Sequence, residues 1–272
     1  MKVLRYSFAL LALVALVAVA LSGSACTFAK KVIAKDKYNQ AILAQNRGQT
    51  KEAAQLLKEA TDLVPDSAVA WLNYGVILRK QFQTVVGADR DAKFKQTLDA
   101  FTKALELSNN NCALKDSAIG YIATIYSDID DKDKHREWLL KRAEDKCADK
   151  TTKAITYYSI AHDYWECAYA QSTRYADKKQ NADPFHYRNF YFEPDKQKFE
   201  DCLNKGMQYI EMTLQVNPEY AEAIAYQSLL YREKQKATKN DAERKKFGEQ
   251  AEAIGKRAIE LTKQQKDKPP QG

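Results

Sequence analysis

A motif of small and large apolar residues recurs along this chain and constrains its fold more than any other feature. Its period of about 34 residues is typical of helix–turn–helix repeats. Because one such unit cannot bury its apolar face alone, the motif predicts stacked helix pairs with a concave surface. The copies are Gly48, Ala53, Leu57, Ala60, Leu63 and Pro65; Trp71, Gly75, Phe101, Ala104 and Leu107; and, after Pro218, Ala251, Ala258 and Leu261.

Composition supports helices and argues against a nucleic-acid partner. The chain has 272 residues, with only 9 Gly and 6 Pro, and this length accommodates about five helix pairs. Removal of Lys2 and Arg5 with the first 25 residues would lower the net charge from +7 to +5. Acids interrupt the bases at 234–246, which indicates a solvated helix surface rather than a basic stripe.

Residues 1–25 have the features of a secretory signal. Lys2 and Arg5 form a positively charged start, the run from Phe8 to Leu21 is apolar, and small residues follow. Such a run is typical of a secretory signal and is short for a membrane span. No charge occurs between Arg5 and Lys30, so an uncleaved membrane anchor is an alternative.

Cys26 directly follows these small residues and resembles the lipidated cysteine of bacterial lipoproteins, in which that cysteine becomes the new N-terminus. The sequence departs from the lipoprotein pattern at Gly23, where a Leu is usual. Ordinary cleavage after Ala25 or after Ala20 is an alternative. In either case we expect the mature chain outside the cytoplasm, in the periplasm or anchored in the cell envelope.

The spacing of the small and aromatic residues resembles the tetratricopeptide repeat (TPR) family. In that family small residues lie where the two helices of a repeat cross closely, and large residues fill the space between pairs. The resemblance implies an all-α, right-handed α-solenoid of about five antiparallel helix pairs. It divides the chain into a signal (1–25), a linker (26–33), a solenoid (34–263) with insertions near 81–92, 168–198 and 233–243, and a disordered tail (264–272).

The insertion of the fourth repeat is rich in aromatic residues over 184–194. Five aromatics in eight residues are too many for a solvated loop. They either pack on the solenoid or form a partner site, and the sequence does not decide between the two.

The resemblance also implies a concave groove lined by the first helix of each repeat. The groove positions are mixed aromatic and polar, which suits an extended peptide or a helix; alternatively, their rings only stack between helices. They are Tyr38, Ile42 and Gln45; Leu72, Val76 and Arg79; Ser117, Tyr121 and Thr124; Tyr158, His162 and Trp165; and Ala225, Leu229 and Arg232.

No catalytic, cofactor or metal motif is recognisable. The phosphate-loop, dinucleotide and Gly-x-Ser-x-Gly patterns are missing. His162 and Asp163 are adjacent, and neighbouring helix residues point to different sides, which disfavours a catalytic pair. The acids at 128–133 lack the Gly and terminal Glu of a calcium loop. We therefore expect no enzyme activity and no cofactor.

Four further cysteines allow three pairings, and the repeat map selects one. Cys112 and Cys147 lie at neighbouring ends of the two helices of repeat three, and Cys167 and Cys202 flank the aromatic insertion. An exported chain would retain such bonds. We predict the pairs Cys112–Cys147 and Cys167–Cys202, with four free thiols as the alternative.

These observations predict a non-catalytic scaffold for protein–protein interaction in the bacterial cell envelope. Its expected partner is a protein or peptide in the groove, with membrane attachment through Cys26 and no nucleic acid. The alternative function is a structural or assembly accessory lipoprotein of an outer-membrane or secretion complex.

Overall fold

The structure is a computed structural model that describes residues 27–179 and 196–266. Those residues form ten helices and no strand, so the predicted all-α class is confirmed. The helices are α1 (27–46), α2 (Thr50–Leu63), α3 (Ala68–Phe82), α4 (Asp89–Leu107), α5 (Cys112–Asp128), α6 (Lys132–Glu144), α7 (Lys150–Lys179), α8 (Lys196–Val216), α9 (Ala221–Ala237) and α10 (Asp241–Lys266).

The chain divides into two compact units, Met1–Ile129 and Asp130–Gly272. The first contains α1 to α5 and the second α6 to α10. In the first unit, Ala41 and Ala44 of α1 share a buried cluster with Ala53 and Leu57 of α2. The other helices that follow one another within each unit also pack together. Helices α3 and α5 in the first unit, and α7 and α9 in the second, also contact each other, as the first helices of successive repeats do in a solenoid.

Polar side chains set the starts of several helices. Ser67, Asn111 and Asp131 each accept a hydrogen bond from the backbone N–H three residues later, at 3.3, 3.1 and 2.9 Å. These N-caps satisfy donors that the first helical turn leaves unpaired. The turn before α2 contains Gly48 at φ 75°, a left-handed conformation that glycine adopts without strain.

The core of the first unit depends on a close approach of α3 and α4 at Gly75. A Cβ atom added there would lie 2.5 Å from ring atoms of Phe101. Phe101 is fully buried and stacks on Tyr121 of α5, with ring centroids 5.0 Å apart. Because Gly75 of α3 has no side chain, the ring of Phe101 of α4 can lie against α3 while it stacks on Tyr121 of α5.

The core of the second unit joins α7, α8 and α9. Its buried members include Ala161, Phe199, Ile210 and Leu230. Gly206 of α8 lies against Leu230, and a Cβ atom added to this glycine would lie 3.0 Å from Leu230 Cδ2. Small residues again allow the helices to approach, as the repeat motif predicts.

The structure differs from the expected boundaries in three places. Residues 27–33 of the expected linker (26–33) are helical; they contain neither Gly nor Pro, the two residues that most disfavour a helix. The insertions expected near 81–92 and 233–243 lie largely within helices. The connections between helices there are only 83–88 and 238–240. Similarly, α7 continues to Lys179, so the first part of the expected insertion at 168–198 is helix.

The structure contains the predicted disulfide between Cys167 and Cys202, whose Cα atoms are 5.9 Å apart. It joins α7 to α8. Cys112 belongs to the first unit and Cys147 to the second, and their pairing stays a prediction. The signal at 1–25, Cys26, the aromatic stretch at 184–194 and most of the tail lie outside the described residues. Among the described helices, none is long and apolar enough to cross a membrane.

Candidate functional site

Helices α7 and α9 bring six aromatic rings together on one surface of the second unit. On α7 the rings occur at steps of four, three and four residues, a spacing that places them on one face of a helix. Tyr220, the residue just before α9, and Tyr226 in its first half complete the set. This aromatic row consists of Tyr158, His162, Trp165 and Tyr169 of α7 with Tyr220 and Tyr226.

Tyr226 is the centre of the aromatic row. Its ring centroid lies 5.4 Å from that of Tyr158, 5.0 Å from that of His162 and 5.1 Å from that of Trp165. The row extends at one end to Tyr220, 5.3 Å from Tyr158, and at the other end to Tyr169, 5.0 Å from Trp165. These are distances of favourable aromatic pairs, so the rings support one another.

Each ring of the aromatic row is partly buried and partly exposed. Residues 158 to 169 span about 17 Å of helix, which equals about five residues of extended chain. Burial, followed by the neighbouring Tyr226 and Tyr220, raises the pKa of Tyr158. Burial also raises the pKa values of Tyr220 and Tyr226. The three hydroxyls are therefore neutral at physiological pH and can both donate and accept hydrogen bonds.

A charge cluster adjoins the aromatic row, formed by Lys132 and His135 of α6 with Asp163 and Glu166 of α7. Lys132 Nζ lies 3.2 Å from Asp163 Oδ1 and 2.7 Å from Glu166 Oε2. His135 Nδ1 lies 2.7 Å from Asp163 Oδ2. Both oxygens of Asp163 are thus engaged, and its side chain is only 3% exposed.

Opposing effects set the pKa values in the charge cluster. Burial raises the pKa of Asp163, but the hydrogen bond and charge of His135 and the charge of Lys132 outweigh it, and the net shift is downward. Burial lowers the pKa of Lys132, but Glu166 and Asp163 outweigh it, and the net shift is upward. Both groups are therefore ionised at neutral pH, as a paired buried carboxylate requires.

No family model matches the chain, and a search of the curated proteins finds no match. Solved structures do match it. MamA 41-end from Desulfovibrio magneticus RS-1 is 16% identical and has a TM-score of 0.51, with 86% of this chain and 97% of that chain covered. A further MamA crystal structure is 14% identical with a TM-score of 0.50, covering 91% of this chain and 98% of that one.

These matches extend over nearly the whole helical region, and small residues such as Gly75 and Gly206 lie at close helix contacts as the repeat motif predicts. The chain has the tetratricopeptide-repeat fold. At 14–16% identity the likeness concerns the fold alone. YrrB, described as a TPR protein with an unusual peptide-binding site, matches more weakly, with a TM-score of 0.43.

In the first unit, several predicted groove residues of the TPR helices are held by contacts within the unit. Arg79 makes a bidentate ion pair with Asp128 of α5, at 2.6 and 2.9 Å. Tyr121 stacks on the buried Phe101. Tyr38 packs against the core together with Trp71. The structure thus gives these side chains packing partners, and Ile42, Gln45, Leu72 and Val76 lie partly buried beside them.

In the second unit, the predicted groove residues Tyr158, His162 and Trp165 come together in the aromatic row. Leu229 of α9 is 37% exposed, and Arg232 Nη1 donates to Gln235 Oε1 at 3.1 Å. Sequence reasoning missed three members of the row and the whole charge cluster. The ring missed on α7 could have been predicted from the sequence, because Tyr169 follows Trp165 by four residues and so continues the helical spacing of the row. The missed rings of α9 and the charge cluster needed the packing of different helices.

Proposed function

We propose that this chain is a non-catalytic scaffold that binds an extended segment of a partner protein on the aromatic row. The observation that carries this proposal is the convergence of six half-exposed rings on the first helices of two successive repeats. Aromatic side chains supply a large contact area at low cost in conformational entropy and dominate many protein interfaces.

The chemistry of the aromatic row suits a segment with both apolar and hydrogen-bonding groups. Neutral hydroxyls of Tyr158, Tyr220 and Tyr226 can bind backbone carbonyls and N–H groups. Trp165 Nε1 is a buried donor without a hydrogen-bond partner among the described residues, and a small adjustment of its ring would let it donate to a bound carbonyl. The row's length, about five extended residues, fits a short linear segment.

We further propose that the scaffold acts in the bacterial cell envelope, attached through lipid on Cys26. Support comes from the first turns of α1, just after that cysteine. Phe28 is 71% exposed, Val32 53% and Ile33 48%, and Lys30 and Lys31 are exposed beside them. Apolar side chains flanked by lysines on a helix suit the surface of an anionic membrane.

Photocrosslinking in the native host tests the binding proposal. A benzophenone amino acid in place of Tyr220 should crosslink one defined protein, and the same residue in place of Tyr158 should capture that protein as well. Ile259 on α10 is 58% exposed and serves as the control position.

Tyr226→Ala should then reduce the crosslink from position 220 at least tenfold, because Tyr226 contacts three other rings and central aromatics contribute most to such interfaces. Circular dichroism and thermal unfolding would verify that the variant folds. Equal capture from position 259, or capture that Tyr226→Ala leaves unchanged, would contradict the proposal.

A further inference from the structure

Three neighbouring side chains of α7 have the chemistry of metal ligands. The coordinating atoms of His162, Asp163 and Glu166 all lie within 4.8 Å of one another. Residues four apart on a helix are neighbours, and His162 Nδ1 lies 4.0 Å from Glu166 Oε1. An imidazole with two carboxylates is a ligand set that zinc sites use, usually with water in an open position.

Lys132 now occupies the place between the two carboxylates. Its ammonium lies 2.7 Å from Glu166 Oε2 and 3.2 Å from Asp163 Oδ1. Lys132, Asp163 and Glu166 together carry a net charge of −1, so the ammonium compensates only one of the two carboxylates. A divalent cation in its place would compensate both. The Lys132 side chain is 34% exposed and can turn into solvent.

The surroundings supply the further features of a metal site. Asp163 is only 3% exposed, and His135 fixes its carboxylate through the contact between Nδ1 and Oδ2 at 2.7 Å. Ligating carboxylates and histidines are commonly oriented by such outer contacts. Glu166 is 42% exposed and His162 34%, which leaves an entry path on the side of the aromatic row.

We infer that His162, Asp163 and Glu166 bind Zn²⁺ in exchange for the ammonium group of Lys132, with His135 orienting Asp163. Tetrahedral zinc with bonds of about 2.0–2.1 Å needs ligand atoms about 3.4 Å apart. The ligand atoms therefore close in by up to about 1.5 Å, a movement that side-chain rotation supplies. This inference does not rest on the proposed peptide binding or on the location of the protein, although His162 belongs to the aromatic row as well.

Substitution of Lys132 distinguishes a zinc site from a simple ion-pair network. Lys132→Met removes the competing ammonium and keeps most of the length of the side chain. Zn²⁺ affinity, measured by titration calorimetry on the folded protein with its Cys167–Cys202 disulfide intact, should rise at least tenfold. The matched control is Lys134→Met, on the same helix, where the lysine pairs with Glu137 at 2.8 Å. The control should bind Zn²⁺ as the unchanged protein does.

Removal of ligands should have the opposite effect. His162→Gln and Glu166→Gln should each weaken Zn²⁺ binding at least tenfold in the Lys132→Met background, and His135→Gln should weaken it less. Co²⁺ substituted into the site should give the intense visible absorption of a tetrahedral complex. Circular dichroism would verify that every variant folds.

Three results would overturn the inference. The first is that neither the unchanged protein nor Lys132→Met binds Zn²⁺ at millimolar concentration. The second is that Lys132→Met binds Zn²⁺ more weakly than the unchanged protein. The third is that His162→Gln and Glu166→Gln leave the Zn²⁺ affinity unchanged. Tighter binding of Mg²⁺ or Ca²⁺ than of Zn²⁺ would also contradict it, because an imidazole ligand disfavours those ions.

Discussion

Replacement of Gly75 by alanine adds one methyl group at the closest approach of α3 and α4. The new Cβ would lie 2.5 Å from Cδ1 and Cε1 of Phe101, a distance that requires a shift. The ring of Phe101 is fully buried and held from its other side by Tyr121, so it cannot move away without disturbing α5.

Two opposing effects determine the size of the change. Overpacking of a well-filled core costs about 1–3 kcal/mol, and a contact with two ring atoms belongs in the upper part of that range. Alanine gains about 1 kcal/mol over glycine in a helix interior. We therefore expect Gly75→Ala to lower the free energy of unfolding by about 1–2 kcal/mol.

A double-mutant cycle with Phe101→Leu isolates the contact. Because leucine lacks the clashing ring atoms, Gly75→Ala should be neutral or stabilising by up to about 1 kcal/mol in that background. Urea denaturation followed by circular dichroism measures all four proteins. If Gly75→Ala changes the free energy of unfolding equally in both backgrounds, the assigned role of the Gly75–Phe101 contact is wrong.

Three more predictions concern the disulfide, the charge cluster and the N-terminus. Reduction of Cys167–Cys202, which spans 35 residues, should lower the free energy of unfolding by about 2–4 kcal/mol, and non-reducing peptide mapping should recover that pair; four alkylatable thiols in the native protein would refute it. The pKa of Asp163 is lowered in the folded state, so its stabilising contribution is present above about pH 4 and is lost as the pH falls through the lowered pKa. Thermal unfolding of Asp163→Asn between pH 5 and pH 2 should therefore lack the loss of stability that the Asp163 carboxylate causes. A pH profile that Asp163→Asn leaves unchanged would show that this carboxylate is not the cause. Intact mass of the native protein should show that residues 1–25 are missing and that Cys26 carries lipid, whereas an unmodified Cys26 would reject lipidation and keep export.

The fold could be predicted from the sequence because its determinants are local and periodic. Gly75, Ala104 and Ala258 mark helix crossings by their size, and Pro65 marks the end of a helix, so the repeat motif predicts the order of the helices. The helix boundaries near 81–92 and 233–243 were less predictable. Polar residues there are compatible with both loop and helix, and the added helical turns depend on packing against neighbours.

The candidate site was only partly predictable because its parts lie on different helices. Tyr158, His162 and Trp165 follow from the repeat position on α7. The rotation of α9 about its axis places Tyr226, rather than its neighbour Ala225, against the rings of α7. The sequence pattern locates the groove positions of α9 only to within about one residue, so it does not determine this rotation. Likewise, the pairing of Asp163 with His135 depends on the packing of α6 on α7, since the two residues are far apart in sequence.

The bond between Cys167 and Cys202 has a consequence for recognition as well as for stability. Cys167 lies on α7 between Trp165 and Tyr169, which are two rings of the aromatic row. The bond therefore attaches this turn of α7 to α8. A surface held in this way loses little motional freedom when a partner docks, and preorganisation of this kind strengthens binding without any added contact. If the proposed partner docks on this surface, reduction of the bond would weaken its binding, although the partner need not touch the bond.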